Sequence, residues 1–435
     1  MPISSRSVII AAALTLTVVV PVQAQALPEP VPLVSVAREP APTIAARNGL
    51  TEAQVPALDG DHFEVDRQGN LRSVEPLATA TSSDVDLAAP DDVFALHSRP
   101  TSAHTIYLDF DGHAVENTQW RGGAKIVAPP YDADGDPSSF GPAERDTIYQ
   151  AFLATAENFR PFDVDVTTQA PSEDRITRDG SRDLEFGSRV VITPQDVTGC
   201  GCGGQSYIGV FDRTSQHASY QPAWAYSGAG STDGKLIAEV ASHETGHTLG
   251  LTHDGQNGGP EYYPGHENWA STMGAAHAQP ITQWSKGEYV DANNHQDDFT
   301  VIAGKGAPLL ADDYTAVVPL TSGITGVIGT DADTDAFAVS HGGGPVTITA
   351  RPARFSPNLD IRLTITDASG GVVATVDPPV VRQSAAVATG LDAQFAANLP
   401  AGEYTVQVEG VGYGDPGVNG YTGYSSVGEY TLTVG

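Results

Sequence analysis

One segment near the middle of the chain, HETGHTLGLTHD, combines the residue types and the spacing of a metal centre. On a helix His243 and His247 lie one turn apart, so both imidazoles project from one face and can share a metal ion. Glu244 follows the first histidine, where its carboxylate can contact a metal-bound water without binding the metal. Gly250 can end the helix in a left-handed conformation and turn the chain so that His253 reaches the same ion. The pattern predicts a three-histidine zinc site.

Three protein ligands leave the fourth position of zinc to water, whose pKa the ion lowers towards about 7. We expect Glu244 to accept a proton as this zinc-activated water attacks a peptide carbonyl, and to pass it to the leaving amine. Two alternatives are a zinc amidase or hydrolase with a non-protein substrate, and a binding or adhesion protein with an idle centre. The presence of every ligand and of Glu244 favours catalysis. His266 is the best substitute if the turn at Gly250 does not bring His253 to the metal.

The extended HExxHxxGxxH pattern resembles that of the metzincin clan of zinc metallopeptidases. Met273, the only methionine after the first residue, follows His253 by 20 positions, which resembles the methionine turn of that clan. Asp254 resembles the residue after the third histidine in the reprolysin (adamalysin) branch. Ala275 stands where astacins and serralysins have a tyrosine ligand, so no fourth protein ligand is expected there. The resemblance implies a zinc endopeptidase in which Met273 shapes the floor under the histidines and Asp254 and Gly250 have structural roles.

The elements expected around the metal site are two helices and four strands. The predicted strands are 104–112, 162–167, 189–193 and 206–211, and the predicted helices are 143–159 and 234–249. The metzincin resemblance implies a twisted mixed sheet above the zinc-binding helix and an irregular lower subdomain after Gly250. The stretch 207–211 is the expected edge strand along which an extended substrate would pair. Residues Met273 to Ala276 are expected to form one wall of a substrate pocket.

Beyond a linker at 304–311, the C-terminal part predicts six short strands and no helix, which indicates an all-β sandwich. This part resembles the pre-peptidase C-terminal domain of secreted bacterial proteases. The predicted fold is therefore an α+β (α/β-type) metzincin catalytic domain over 97–303, followed by a β-sandwich domain over 312–435.

The first 26 residues have a basic start, an apolar core and a small-residue cleavage site, which predict a secretory signal peptide. An uncleaved membrane anchor is the alternative. The stretch 27–96 is rich in Pro, Ala and acidic residues and predicts a propeptide or flexible leader. Within it Asp59 and Asp61 resemble the aspartate switch of astacin propeptides, or they belong to an ordinary turn. We expect a secreted, extracellular zymogen that is monomeric and free of the membrane after signal cleavage.

The chain has 53 acidic and 22 basic residues and a net charge of −31, which argues against nucleic acid as a partner and suits an exported protein. Extracellular protein or peptide substrates are what the metzincin resemblance implies. Two acidic groups could bind calcium through alternating carboxylates, although aspartates are also common in ordinary turns. The first group is Asp132, Asp134 and Asp136, and the second is Asp331, Asp333 and Asp335.

Cys200 and Cys202 are the only cysteines. One glycine separates them, so a disulfide between them would close a tight ring, and free thiols are the alternative. Neither precedes the catalytic part, which excludes a cysteine switch.

Overall fold

The structure, a computed structural model, describes residues 41–52, 55, 62–66, 68–77 and 87–435. The predicted signal peptide and the Asp59 and Asp61 motif lie outside these residues. The described helices are α1 (Ala41–Asn48), α2 (Pro142–Asn158), α3 (Glu173–Ile176), α4 (Gly234–Thr248) and α5 (Asp298–Gly304). Short 3-10 turns cover Trp120–Gly123, His217–Tyr220 and Ala276–Ala278. The described chain is mixed α/β, with more strands than helices.

The strands before the linker are β1 (Phe63–Val65), β2 (Leu71–Ser73), β3 (His104–Asp109), β4 (His113–Val115), β5 (Ile126–Ala128), β6 (Asp165–Thr167), β7 (Phe186–Thr193), β8 (Gly204–Gln205), β9 (Ala223–Tyr226), β10 (Trp269–Ser271) and β11 (Ile281–Gln283). The central sheet has five of them in the order β6-β3-β7-β9-β8. Its first four strands are parallel, and β8 is antiparallel to β9. Two short antiparallel pairs, β1 with β2 and β4 with β5, and the parallel pair β10 with β11 lie outside it.

Local signals start α2 and α4 where the sequence predicts them. Pro142 occupies the first turn of α2, and the Glu144 carboxylate accepts a hydrogen bond from Gly141 N (2.7 Å). Asp233 precedes α4, and its carboxylate accepts a hydrogen bond from Leu236 N (3.0 Å). Both helices pack against each other, and α4 also packs against β7 and β9. Almost every side chain of α4 is therefore buried.

The strands of the C-terminal part are β12 (Val318–Pro319), β13 (Gly323–Ile328), β14 (Thr334–Pro352), β15 (Ile361–Asp367), β16 (Val372–Val376), β17 (Val381–Arg382), β18 (Ala388–Thr389), β19 (Ala393–Gly410) and β20 (Gly428–Val434). Seven of them form one sheet, in which neighbours follow the order β13-β20-β14-β19-β15-β16 and β12 pairs with β14. A separate two-stranded pair joins β17 to β18. No helix lies between Val318 and Val434, so the β-rich C-terminal region agrees with the sequence.

The predicted linker is hydrogen-bonded to the part of the chain that contains the central sheet. Asp163 N donates to Pro308 O (2.7 Å), and Leu310 N donates to Pro161 O (2.8 Å). Further on, Asn358 Nδ2 donates to Asn158 Oδ1 (2.8 Å). One hydrophobic core runs from the central sheet into the C-terminal sheet.

One strand prediction was wrong. The predicted strand 206–211 is mainly turn, with an isolated bridge at Tyr207, and the edge strand is β8, which ends at Gln205. The aromatic ring of Tyr207 packs on Trp120 and Tyr220 instead, so its burial reflects core packing rather than strand pairing. Strand β9 was not predicted. Among the described residues, no helix is both long enough and apolar enough to cross a membrane.

Candidate metal centre

Helix α4 and the turn after it bring three imidazoles together. The Nε2 atoms of His247 and His253 lie 3.1 Å apart. The ring centroid of His243 lies 4.8 Å from that of His247 and 5.4 Å from that of His253. All three rings are buried, at 6% exposure or less. The structure therefore brings together the three histidines that the sequence predicts as ligands.

Each of these imidazoles is oriented by an acceptor at its other nitrogen. His243 Nδ1 donates to Thr272 O (2.8 Å), and His247 Nδ1 donates to Leu251 O (2.9 Å). His253 Nδ1 faces Glu261 Oε1 at 3.2 Å. With the proton on Nδ1, the lone pair of each Nε2 points to the shared centre. The residues present therefore fit a metal ion.

A fourth side chain, which the sequence did not predict, completes the cluster. Glu75 Oε1 lies 3.1 Å from His247 Nε2 and 2.9 Å from His253 Nε2, and Glu75 Oε2 lies 3.2 Å from His243 Nε2. The four ligand atoms lie within 4.8 Å of one another. Burial opposes ionisation of Glu75, but the charges of His243 and His253 lower its pKa well below the ordinary value. This buried Glu/His cluster could hold a metal ion.

Glu244 lies beside the cluster and does not belong to it. Its Oε2 accepts hydrogen bonds from Ser206 Oγ (2.6 Å) and Ser73 Oγ (3.0 Å). Its Oε1 is buried and has no hydrogen-bond partner among the described residues. Burial, followed by the charge of Glu75, raises the pKa of Glu244 to about 8. A Cβ at Gly204 would lie 2.2 Å from Oε1, so the absence of a side chain at Gly204 gives this carboxylate its space.

Two glycines shape the site, one at the end of α4 and one on the face of α4 that packs against Met273. Gly250 has φ +96°, in the left-handed region, and so ends α4 and turns the chain towards His253. A Cβ at Gly246 would lie 2.6 Å from Met273 Sδ, so the buried thioether packs directly under the helix between the first two histidines. Met273 thus lies where the sequence predicted a floor.

Asp254 contributes through its backbone. Its N–H donates to Met273 O (2.8 Å), and its carbonyl accepts from Tyr263 N (2.6 Å). The buried residue therefore ties the segment after His253 to the backbone at Met273 and Tyr263. His266 lies elsewhere: its imidazole contacts Tyr263 Oη and Gly420 O and takes no part in the cluster.

A cavity of about 60 Å³ opens beside the cluster. Its lining includes Gly274, Ala275 and Ala276, the predicted pocket wall. Glu239 and Leu236 of α4 also line it. Tyr262 lines the same cavity, and its ring lies 4.2 Å from that of His253 between centroids.

The acidic groups assemble differently from the predicted triplets. Asp132 and Asp134 lie close to Glu144, whereas the Asp136 carboxylate accepts hydrogen bonds from Ser138 and Ser139. In the C-terminal region, the residues that lie close together are Asp312, Asp313 and Asp335. Asp333 accepts a hydrogen bond from Gly329 N (2.7 Å), and Asp331 is absent from both groups. Calcium at either group stays a prediction. Cys200 and Cys202 form a disulfide.

Sequence reasoning missed Glu75, Glu261, Tyr262 and the two serines at Glu244. Glu261 and Tyr262 follow His253 closely in the sequence. A carboxylate and a phenol so near a predicted ligand were a local signal that these residues belong to the site. Glu75 lies 172 positions before His247 and Ser73 lies 171 positions before Glu244, and no local pattern marks them.

No protein-family profile and no curated protein sequence matches the chain. Partial structural matches involve its β-rich part. One is to the pre-peptidase C-terminal domain of collagenase from Bacillus anthracis, at 15% identity and a TM-score of 0.19, over 29% of this chain and 98% of that one. Another is to PliG of Aeromonas hydrophila, a periplasmic inhibitor of g-type lysozyme, at 12% identity and a TM-score of 0.19, over 27% and 94%. A third is to a family 35 carbohydrate-binding module from Clostridium thermocellum, at 16% identity and a TM-score of 0.14, over 23% and 68%. These matches are weak.

Proposed function

We propose that the chain is an exported zinc endopeptidase that hydrolyses peptide bonds of extracellular proteins. The observation that carries this proposal is the convergence of three Nε2 atoms, each imidazole oriented at Nδ1, beside a buried carboxylate that is not a ligand. Nitrogen ligands from three histidines suit zinc, and the adjoining carboxylate suits general-base catalysis.

Zinc bound by His243, His247 and His253 would polarise a peptide carbonyl and lower the pKa of water. Glu244 Oε1 is the free acceptor, so this atom takes the proton from the attacking water and returns it to the leaving amine. Ser206 holds the other oxygen of Glu244 (2.6 Å) and so directs Oε1 to the reacting atoms. The Tyr262 phenol lies beside His253 and donates to Val74 O (3.5 Å), so it would be available to a substrate oxygen once the segment around Val74 is absent.

The finer architecture that goes with this function is a metzincin-like catalytic domain followed by a β-sandwich. The mixed sheet above α4, the left-handed Gly250 and the buried Met273 support the first part. The long strands β14 and β19, which pair over their whole length, support the second.

The test combines metal analysis with hydrolysis. Purified protein should contain about one zinc per chain, and its cleavage of casein or of a peptide library should stop with a chelator and return with zinc. Glu244→Gln should keep the zinc and reduce kcat by about 10²- to 10⁴-fold. Full activity of Glu244→Gln would remove Glu244 from the mechanism. Hydrolysis of non-peptide amides alone would favour the amidase, and no hydrolysis by zinc-loaded, leader-free protein would favour a binding protein.

A further inference from the structure

The leader runs as an additional strand along the segment 203–208, beside the metal centre. Ile208 N donates to Leu71 O (3.0 Å), Ser73 N donates to Ser206 O (2.8 Å) and Glu75 N donates to Gly204 O (3.0 Å). These contacts use the backbone groups that an extended substrate would need in order to pair with the same edge. Leader and substrate therefore exclude each other there.

The side chains of this strand contact both parts of the proposed site, the three histidines and Glu244. Glu75 places its two carboxylate oxygens 2.9–3.2 Å from the three Nε2 atoms. Ser73, two residues earlier, donates to Glu244 Oε2 at 3.0 Å. A carboxylate with three imidazoles makes a closed four-ligand set of the kind zinc accepts, and it leaves no position for water.

The rest of the leader holds this strand in place. The Phe63 ring lies 4.3 Å from that of His253 between centroids. Phe63 and Leu71 are buried in one apolar cluster with Ile44 of α1 and Ile208. Asn48 at the end of α1 accepts a hydrogen bond from Leu71 N (2.8 Å). The described parts of the leader, 41–52, 62–66 and 68–77, therefore pack together and hold this strand.

We propose that Glu75 is the latch of a zymogen: its carboxylate fills the fourth position on the metal, and the enzyme becomes active when the leader leaves. This inference rests on the proposed function. It differs from the Asp59 and Asp61 hypothesis, whose residues lie outside the described part of the chain.

The test uses the full chain with Glu75→Ala, Glu75→Gln and the control Glu64→Gln. Glu64 lies on the same hairpin, but it pairs with Arg72 rather than with the histidines. Cobalt-loaded protein should change its visible absorption in both Glu75 variants, because a solvent molecule replaces the carboxylate, and not in Glu64→Gln. Cleavage of a quenched fluorescent peptide should rise by about 30-fold or more in Glu75→Ala, since truncating one partner of a buried charge pair costs about 2 kcal/mol or more.

An unchanged cobalt spectrum in both Glu75 variants would overturn the latch, whatever the activity. Equal peptide cleavage by wild-type protein and Glu75→Ala, with both as active as leader-free protein, would overturn it too. Failure of the proposed function has a different signature, in which the spectrum responds to Glu75 but no form of the protein cleaves any peptide.

A second, independent observation concerns the cavity beside the cluster. Glu239 lines it, is 5% exposed, and uses only Oε1 in bonds, to Lys235 Nζ (2.6 Å) and Thr282 Oγ1 (2.6 Å). Oε2 is buried and has no hydrogen-bond partner among the described residues. A buried acceptor left unpaired costs free energy, which a donor entering the cavity recovers.

We infer that Glu239 determines specificity by selecting a substrate side chain with a hydrogen-bond-donating tip, such as arginine, lysine or glutamine, next to the scissile bond. This also rests on the proposed function. Apolar Leu236 and Val240 line the same cavity, so the stem of a long side chain can pack on them.

The test is a peptide library with leader-free protein, comparing arginine, lysine and glutamine with leucine and glutamate at each position around the cut. Donor side chains should be preferred about tenfold at one position, which corresponds to one charge-assisted hydrogen bond. Glu239→Gln keeps an oxygen for Lys235 and turns an amide N–H₂ to the cavity, so the preference should shift to glutamate. Leu236→Met is the control and should keep the donor preference.

Cleavage without a donor preference, or an unchanged preference in Glu239→Gln, would overturn this inference and leave the proposed function standing. If no form of the protein cleaves peptides, the binding of the same peptides to zinc-loaded Glu244→Gln tests the donor preference instead. Equal affinity for the arginine and leucine peptides there would overturn it.

Discussion

Glu157 near the end of α2 should make the stability of the protein fall as the pH rises. Its side chain is fully buried where α2 meets β20, and a Cβ at Gly428 would lie 2.0 Å from its Oε1. Burial raises the pKa of Glu157 to about 8, although Arg160 lowers it in part. The folded chain therefore keeps this proton at a pH at which the unfolded chain, with a pKa of 4.5, has lost it.

The magnitude follows from linkage. Between pH 4.5 and 8 the folded state binds one more proton than the unfolded state at this site, so stability declines by about 1.4 kcal/mol per pH unit. The cost of Glu157 is negligible below pH 4, about 3 kcal/mol at pH 7 and at most about 5 kcal/mol above pH 8. Glu157→Gln, which cannot ionise, should remove this decline.

The assay is thermal or urea unfolding of wild-type protein and Glu157→Gln at pH 4.5, 6, 7 and 8. The difference in the free energy of unfolding should grow in favour of the variant with each step. Glu429→Gln is the matched control, because the Glu429 carboxylate contacts Arg160 (3.0 Å) at the same junction but is half exposed. The charge of Glu429 also helps to raise the pKa of Glu157, so the Glu429→Gln profile should keep the decline with pH but end it at a slightly lower pH than wild-type protein. A Glu157→Gln profile parallel to that of wild-type protein would refute the reasoning.

Three further predictions concern the site and the C-terminal acidic group. Gly250→Ala should cost about 1–2 kcal/mol, since φ is +96°, and should weaken zinc binding because His253 is displaced; unchanged zinc affinity in a competition titration would contradict this. Gly246→Ala should cost about 1–3 kcal/mol by pressing on Met273, and Met273→Ala in the same chain should recover part of it in urea unfolding; simple additivity would contradict the packing. Calcium should raise the melting temperature through Asp335, whose Oδ1 is buried without a hydrogen-bond partner among the described residues and whose pKa is raised to about 7 by burial and by neighbouring aspartates. The calcium effect should therefore grow between pH 6 and 8 and disappear in Asp335→Asn, and a shift that survives in Asp335→Asn would rule out this group.

The parts of the site that the sequence predicted are those encoded by local spacing. Helical periodicity places His243 and His247 on one face, and a glycine at the right distance returns His253. These signals need no knowledge of the remaining fold. Glu75 shows the opposite case, since its contact with the histidines depends on how the leader docks, which follows from a hairpin, an apolar cluster and an edge strand together.

The secondary structure also divides into elements that local sequence encodes and elements that depend on distant parts of the chain. Helices α2 and α4 were predicted within one residue at each end, because capping residues and apolar periodicity agree there. Strand β14 covers two of the six strands predicted for the C-terminal part, at 337–339 and 346–349, since Gly342 to Gly344 interrupt its apolar pattern. Its backbone nevertheless pairs with β19 on both sides of the glycines. Sequence alternation reports which side chains are buried, whereas strand length is set by the partner strand.

The C-terminal region also supports the floor of the metal centre. Trp284 lies in contact range of Gly246, since a Cβ there would be 3.3 Å from its ring. Its indole N–H donates to Asn158 O (2.7 Å), and its carbonyl accepts from Ser425 Oγ of the C-terminal region. A continuous path of packed and hydrogen-bonded groups therefore joins the region around β20 to the helix that carries the histidines. Because Trp284 and Ser425 are buried, removing the C-terminal region would leave the Trp284 carbonyl without this partner. We infer that the β-rich region helps to hold the helix that carries the three histidines in place.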